Sequence, residues 1–332
     1  ALSAFDPTPL PPQSLSDCLL SEEILGFVAE TDRENSAVTP IALDVIARIE
    51  QLLRARLPKD RVAVTPFGSF RTGLRLPSSD IDLVVDHDSA LSATELLRAV
   101  RDCLECAPFT AQLTLIPQAA FPLLKVRCAA QFLHLHLDVT VRDHRHTGIE
   151  CAALVQSYLA AVPPLRPLAL VVKQLLHASG LGQAYRGGLN SYGAVLMCVA
   201  FLQHLHAQGR CLECEGGPGR LVREFLFFFG GLFDYRRWLV APLLAGAPLP
   251  PLRAKPPLCD AAGLVIVDPL NAMNNVANST LREETFLQLE LLFAAAALSL
   301  ARPCGAGPTD TPSLQRIFTA GTNRLLPGGA PN

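Results

Sequence analysis

Apolar residues near the start of the chain recur at helical spacing. Ile41, Val45, Ile46, Ile49, Leu52 and Leu53 fall on one face, which predicts a helix opening at Thr39-Pro40 and ending near Leu57-Pro58. Ser21-Glu22-Glu23 opens an earlier helix, with a capping hydroxyl ahead of acids in the first turn. The period then falls to two. Residues 61–65 alternate as a first strand, and a small-residue turn, a short helix and a polar loop follow. Next comes a strand on which Ile81, Leu83 and Val85 face one way and Asp80 and Asp82 the other. The pattern predicts a helix over 92–104 and two more strands over 121–128 and 132–141. In the second of these, Leu133, Leu135, Leu137, Val139 and Val141 share one face; His134, His136, Asp138 and Thr140 share the other.

From about residue 150 the texture becomes helical, punctuated by Pro and Gly. Helices are expected over 167–179, with Gly180 as the stop, and from Gly187-Gly188-Leu189-Asn190-Ser191-Tyr192 to about Gln203. The aromatic run over 221–233 must be core or a partner surface, with Phe225 to Phe229 a candidate docking segment. A Pro-rich loop covers 243–257, a short strand 264–267, and a last helix 285–302, ahead of a Pro/Gly tail. There is no internal repeat.

Composition narrows the class. The chain has 332 residues, of which 50% are apolar and 17% charged, enough for two domains with cores and too apolar for disorder. Its formal net charge of −2 excludes a protein that grips nucleic acid over its whole surface, and predicts local RNA contact helped by a partner. The pairs Cys103/Cys106 and Cys211/Cys214 lie too far apart for a typical four-Cys zinc site, so the ten cysteines read as reduced thiols. The start of the chain does not read as a signal peptide, and the apolar stretch around 286–301 is broken by Gln288 and Glu290. An intracellular, soluble chain with no membrane partner is expected.

The chemistry concentrates at Asp80 and Asp82. Two acids side by side on an apolar strand repel each other, and a hard divalent cation relieves that cost. Asp-X-Asp alone usually marks a solvated strand edge, but Gly68-Ser69 lies just upstream, offering backbone N–H groups to phosphate, and Asp138 presents a third carboxylate from another strand. With Lys173 as a counter-charge and Tyr192 as a stacking ring, the set suits two-metal nucleotidyl transfer. One ion on all three acids would activate a 3′-hydroxyl, and a second on Asp80 and Asp82 would hold the triphosphate.

Segments 67–85, 168–176, 187–203 and 268–279 together resemble the DNA polymerase β-like nucleotidyltransferases, and within them the TRAMP-type poly(A) polymerases that tag RNA for the nuclear exosome. The resemblance runs from about residue 61 to 300. It implies an α+β fold: a small mixed-sheet palm domain over 59–145 and a helical central domain over 146–320, with the nucleotide cleft between them. Residues 1–20 would be a flexible leader, 21–58 helices packing on the central domain, and 321–332 a tail. Asp80, Asp82 and Asp138 match the catalytic metal triad for two Mg²⁺ or Mn²⁺ ions. Gly68, Ser69 and Lys173 match the phosphate-binding positions, and Ser191 and Tyr192 the sugar/phosphate and base-stacking ones. Six residues beyond Asp268 the uridylyl branch carries His and the adenylyl branch Asn; Asn274 stands there, which favours ATP over UTP. Two positions depart from the pattern. Asn278 replaces the usual Arg, and Thr147-Gly148, after a two-residue insertion, stands where an Asn near the ribose is expected. The resemblance implies template-independent addition of adenylates to RNA 3′ ends in the nucleus, with a separate RNA-binding subunit. Its alternatives are terminal uridylyl transfer, an inactive scaffold of the same fold, and a small-molecule acceptor as in antibiotic nucleotidyltransferases.

Overall fold

A computed structural model describes residues 15–57, 61–88, 91–119, 121–143, 145–212, 217–243, 252–254, 263–280, 283–301 and 311–320. Most of the expected leader, most of the Pro-rich loop, the tail 321–332 and Cys214 lie outside these residues. The chain divides into two compact units, one of residues 29–161 and one of residues 1–28 with 162–332.

Helix α1 (Leu15–Arg56) is a single helix of 42 residues, where two were expected. Pro40 does not end it because Pro40 faces solvent. Only one intrahelical bond is lost there, and water can take the freed carbonyl. Thr39 Oγ1 donates to Asn35 O at 2.7 Å alongside. Further on, Ala42, Val45, Ile46, Ile49 and Leu53 are buried in the same core as the sheet residues Val62, Leu83, Val85 and Leu137. Residues 29–57 therefore pack in the same unit as the sheet, where the sequence grouped 21–58 with the helical domain. Their apolar stripe fits the apolar sheet face, and burial there follows from it.

The sheet unit runs β1 (Val62–Pro66), α2 (Gly68–Thr72), β2 (Ile81–His87), α3 (Ala93–Leu104), β3 (Thr110–Ile116), β4 (Leu123–Cys128), β5 (His136–Val141) and α4 (Gly148–Ala161). Strand order is β1-β2-β5-β4-β3, with β2 and β5 parallel and the other pairs antiparallel, the mixed α+β arrangement expected. Ser92 and Glu95 form a capping box at the start of α3, which buries Leu96, Leu97, Val100 and Leu104. Strand β3 was not expected. It is an edge strand whose only alternation is Leu113 and Leu115 against Gln112 and Thr114. The strand expected from 132 begins only at His136, because Leu133 and His134 take left-handed φ values of 55° and 51° in the tight β4–β5 connection. His134 is therefore not part of the acid-bearing strand face.

The second unit contains α5 (Leu165–Ala178), α6 (Ser191–Ala207), α7 (Gly217–Phe227), β6 (Trp238–Val240), β7 (Leu252–Ala254), β8 (Val267–Asp268), β9 (Asn271–Asn275), α8 (Glu283–Ala301) and α9 (Ser313–Thr319). Helix α7 runs on into one π-helical turn. The aromatic run is core and not a docking face. Phe225, Phe228, Phe229 and Phe233 pack with Phe201 and Phe293 at ring separations of 4.8–6.4 Å, and Phe227 alone of the five from 225 to 229 is exposed among the large apolar residues. The close approach to α8 requires Gly230, whose Cβ would run into the α8 backbone at Phe293 and Ala294.

Residues 15–28 are tied to this unit. Asp17 pairs with Arg223 at 2.6 Å, and Ser21 Oγ accepts from Gly219 N at 3.0 Å. Glu224, only 5% exposed, takes Arg210 at 2.6 Å and Arg220 at 2.8 Å. Removing one partner of such a buried cluster leaves guanidinium groups without their counter-charge. Glu224→Ala should destabilise the chain by about 3 kcal/mol, read as a lowered melting temperature in thermal denaturation.

Candidate active site

The parallel pairing of β2 and β5 sets Asp82 directly beside Asp138. Asp80 stands just before β2, and the residues between and beyond, Ile81 and Leu83, are wholly buried. Alternation therefore delivers three acids to one polar sheet face while the opposite face builds the core. On β4, Lys125 is the register partner of Asp138. Its Nζ lies 3.0 and 3.1 Å from the two Asp138 carboxylate oxygens and 3.3 Å from Asp80 Oδ2. His136 Nδ1 is 3.6 Å from Asp80 Oδ1.

Burial raises the Asp138 carboxyl above the usual carboxylate range and the charge of Asp80 adds to this, although Lys125 pulls the other way. Burial also pulls the Lys125 ammonium down, but the hydrogen bonds and charges of Asp138 and Asp80 outweigh it and hold its pKa above the ordinary value. The acid cluster thus gathers positive charge. Among the described residues no three His, Cys, Asp or Glu side chains close into a metal cage. The donor set nonetheless fits a hard divalent cation: carboxylates alone, two of them already converging on one ammonium.

Asp82 meets the turn that opens α2. Phe67 N donates to Asp82 O at 2.9 Å, and Gly68 takes φ +58° with its hydrogen against Asp82 Oδ2, where a Cβ would collide. Ser69 follows in the first turn, and the short helix closes on Gly73, with Leu74 N donating to Ser69 O at 3.1 Å. The stretch after Asp138 folds back on the same turn: Gly148 lies against the Phe67 ring, and His146 stacks edge-on to it at 4.9 Å.

The second unit holds the other expected residues. Asp268, 5% exposed, accepts from Tyr192 Oη, Asn274 Nδ2 and Leu270 N, each at 3.0 Å. Nδ2 is thus the Asn274 atom that turns inward. Among the described residues its carbonyl oxygen and second N–H are left for another partner. Asn275 Oδ1 holds the hairpin by accepting from Ile266 N and Ala277 N, and Ser279 Oγ donates to Gly188 O at 2.7 Å. Asn190 caps α6 through Gly193 N, setting Ser191 and Tyr192 in its first turn. Lys173 is buried on α5.

The structure thus joins Asp80 to Asp138, Asp82 to Gly68, and Tyr192 to Asn274. Two residues in these contacts had no role in the sequence-based site. Lys125 was discoverable from the β4 alternation, which puts Lys125 and Arg127 on the face opposite Leu124, Val126 and Cys128. Asp268 as the hub for Tyr192 and Asn274 had no local signal, since one contact spans 76 residues.

The family described as the central palm domain of mitochondrial-like poly(A) RNA polymerase matches residues 20–160. The poly(A) RNA polymerase CID14 of Cryptococcus neoformans is 33% identical over 225 residues, covering 65% of this chain and 28% of that protein. The inactive poly(A) RNA polymerase protein Trf4-2 of Drosophila melanogaster is 29% identical over 269 residues, covering 79% of this chain and 64% of that one. The chain therefore spans between about a quarter and two thirds of the length of these two relatives. The solved polymerase core of TRAMP, an RNA surveillance complex, superposes with a TM-score of 0.73 at 26% identity, covering 94% of this chain and 91% of that one. No helix among the described residues is long and apolar enough to cross a membrane. With the sheet order, the paired acids and these likenesses in agreement, the chain has the fold of the DNA polymerase β-like nucleotidyltransferases and resembles, among them, the TRAMP-type poly(A) RNA polymerases.

Proposed function

We propose that this chain adds adenylates from ATP to RNA 3′ ends without a template. The observation that carries the proposal is the convergence of Asp80 and Asp138 on one positive charge, with Asp82 on the neighbouring strand beside Gly68. Nucleotidyl transfer needs positioning and charge neutralisation more than covalent help from the protein. Two Mg²⁺ or Mn²⁺ ions, when bound, supply the neutralising charge and lower the pKa of the attacking hydroxyl. Asp80, Asp82 and Asp138 hold that charge in place. Gly68 and Ser69 offer backbone to the triphosphate, Lys173 balances its charge, and Ser191 binds beside it. Tyr192 stacks on the base, a contact worth about 1–3 kcal/mol.

Asn274 supports ATP over UTP. With Nδ2 bonded to Asp268, its free oxygen and remaining N–H match the donor–acceptor edge of adenine. Asn274→His should lower kcat/KM for ATP about tenfold and raise it for UTP, measured in single-nucleotide extension of a labelled RNA primer with each triphosphate separately. Faster use of UTP than ATP by the unmodified chain would overturn the adenylyl assignment.

A scaffold without activity is the second reading, because the relative Trf4-2 is described as inactive. The retained acid cluster favours an enzyme, since three neighbouring acids repel one another and nothing in a scaffold would select for them. The net charge of −2 and the likeness to the TRAMP core support a separate RNA-binding subunit and a nuclear setting as parts of the same proposal. Processive tailing by the isolated chain at physiological salt would count against the subunit.

A further inference from the structure

The polar face of the sheet carries a second row of side chains that the proposed reaction leaves unused. Thr114, Lys125, Asp138 and Asp82 are successive register partners across β3, β4, β5 and β2. Two residues along the strands, Gln112, Arg127 and His136 are partners across β3, β4 and β5. The rows are about 7 Å apart, the advance of two residues along a strand. Together, Asp82 apart, they line an open concavity of about 180 Å³ that also takes in Asp80. Gln112, Arg127 and His136 are all exposed, and Arg127 has no ion pair among the described residues. In a chain with 17% charged residues, an uncompensated arginine beside a histidine on a concave strand face needs a reason.

The strand order supplies one. Gly68 and Ser69 follow β1 and press on Asp82, so the triphosphate side of the acids is the β1–β2 side. In-line displacement needs the attacking hydroxyl opposite the leaving pyrophosphate. The acceptor must then approach from the other side of Asp138, over β4 and β3. We propose that the row Gln112–Arg127–His136 seats the backbone of the RNA acceptor strand, next to its 3′-terminal nucleotide. Arg127 and His136 meet the last phosphodiester, while Gln112 meets the adjoining sugar hydroxyl. The contacts go to phosphate and sugar and read no base, so they position any 3′ end equally. This inference rests on the RNA reading above and names the residues that hold the second substrate.

The test uses the full chain and a fluorescent RNA oligonucleotide. Arg127→Gln should raise KM for the RNA primer and its Kd by anisotropy about tenfold, and leave KM for ATP unchanged. It should also flatten the slope of log Kd against log salt by about one, as loss of one phosphate contact requires. Arg127→Lys should recover most of the affinity. Arg101→Gln, which removes an equal charge on α3 from a pair with Asp102, should change neither constant. The melting temperature of the Arg127→Gln chain should match that of the parent, since Arg127 is exposed. An unchanged RNA Kd and salt slope in Arg127→Gln, or a KM for ATP that rises in step with that for RNA, overturns the inference alone. A parent chain that neither binds nor extends RNA overturns it together with the reading beneath it.

Discussion

Asp138→Asn should lower kcat/KM for nucleotide addition by at least about 10³-fold and leave the chain folded. The size follows from the place of the carboxylate. Removing one preorganised charge contact at a reacting centre costs about 10²–10³ in rate, and here the loss also strips a hard donor from the proposed cation site. Asp138 is the acid that both pairs with Asp82 across the parallel strands and joins Asp80 through Lys125. Stability should hold because burial has already raised the Asp138 carboxyl, so the fold disfavours its charge. A neutral isostere relieves that burden, and Lys125 keeps Asp80 as a partner at 3.3 Å. Single-turnover incorporation into a labelled primer measures the loss, and a thermal melt within a few degrees of the parent separates it from unfolding.

Gly68→Ala is the second large effect, and Gly73→Ala is its control. Both glycines take left-handed backbone, at φ +58° and +73°, where a Cβ costs about 1–2 kcal/mol. Only at Gly68 does the added Cβ meet anything: it collides with Asp82 Oδ2, whereas nothing lies within 4 Å at Gly73. Alanine at 68 must push the Gly68-Ser69 turn, proposed to bind phosphate, and the Asp82 carboxylate apart. A misplacement near 1 Å at a reacting centre costs about 10²-fold in rate. The expected result is a loss of roughly that size in kcat with a raised KM for ATP, measured by steady-state kinetics. Gly73→Ala should lower the melting temperature similarly but keep nearly full activity. Equal activity losses in the two variants would show that backbone strain, and not contact with Asp82, governs the turn.

The parts of the site that depend on strand alternation were legible in the sequence. Ile81, Leu83 and Val85 had to be buried together, which put Asp80 and Asp82 on the other face, and the same logic placed Asp138. What was not legible depended on contacts far apart in the chain or on local backbone geometry. Pro40 looked like a helix start because its pattern says nothing of which side faces water. His134 seemed to extend a strand because a left-handed pair at Leu133 and His134 leaves no mark on alternation. The unit boundary near residue 28 falls inside a continuous helix, where composition does not change. Lys125 had no role in the sequence-based site, and only the register of β4 and β5 sets it against Asp138. The phenylalanine run carried two readings, and only its packing against Phe201 and Phe293 decided for core.

The most direct measurement is extension of a 5′-labelled RNA primer by the purified chain with Mg²⁺ or Mn²⁺ and one nucleoside triphosphate at a time, alongside its Asp138→Asn variant. The expected result is a ladder of added nucleotides with ATP, weaker extension with the other three, and none with the variant. No extension with any triphosphate, or equal extension by the variant, would contradict catalysis by the Asp80, Asp82 and Asp138 cluster.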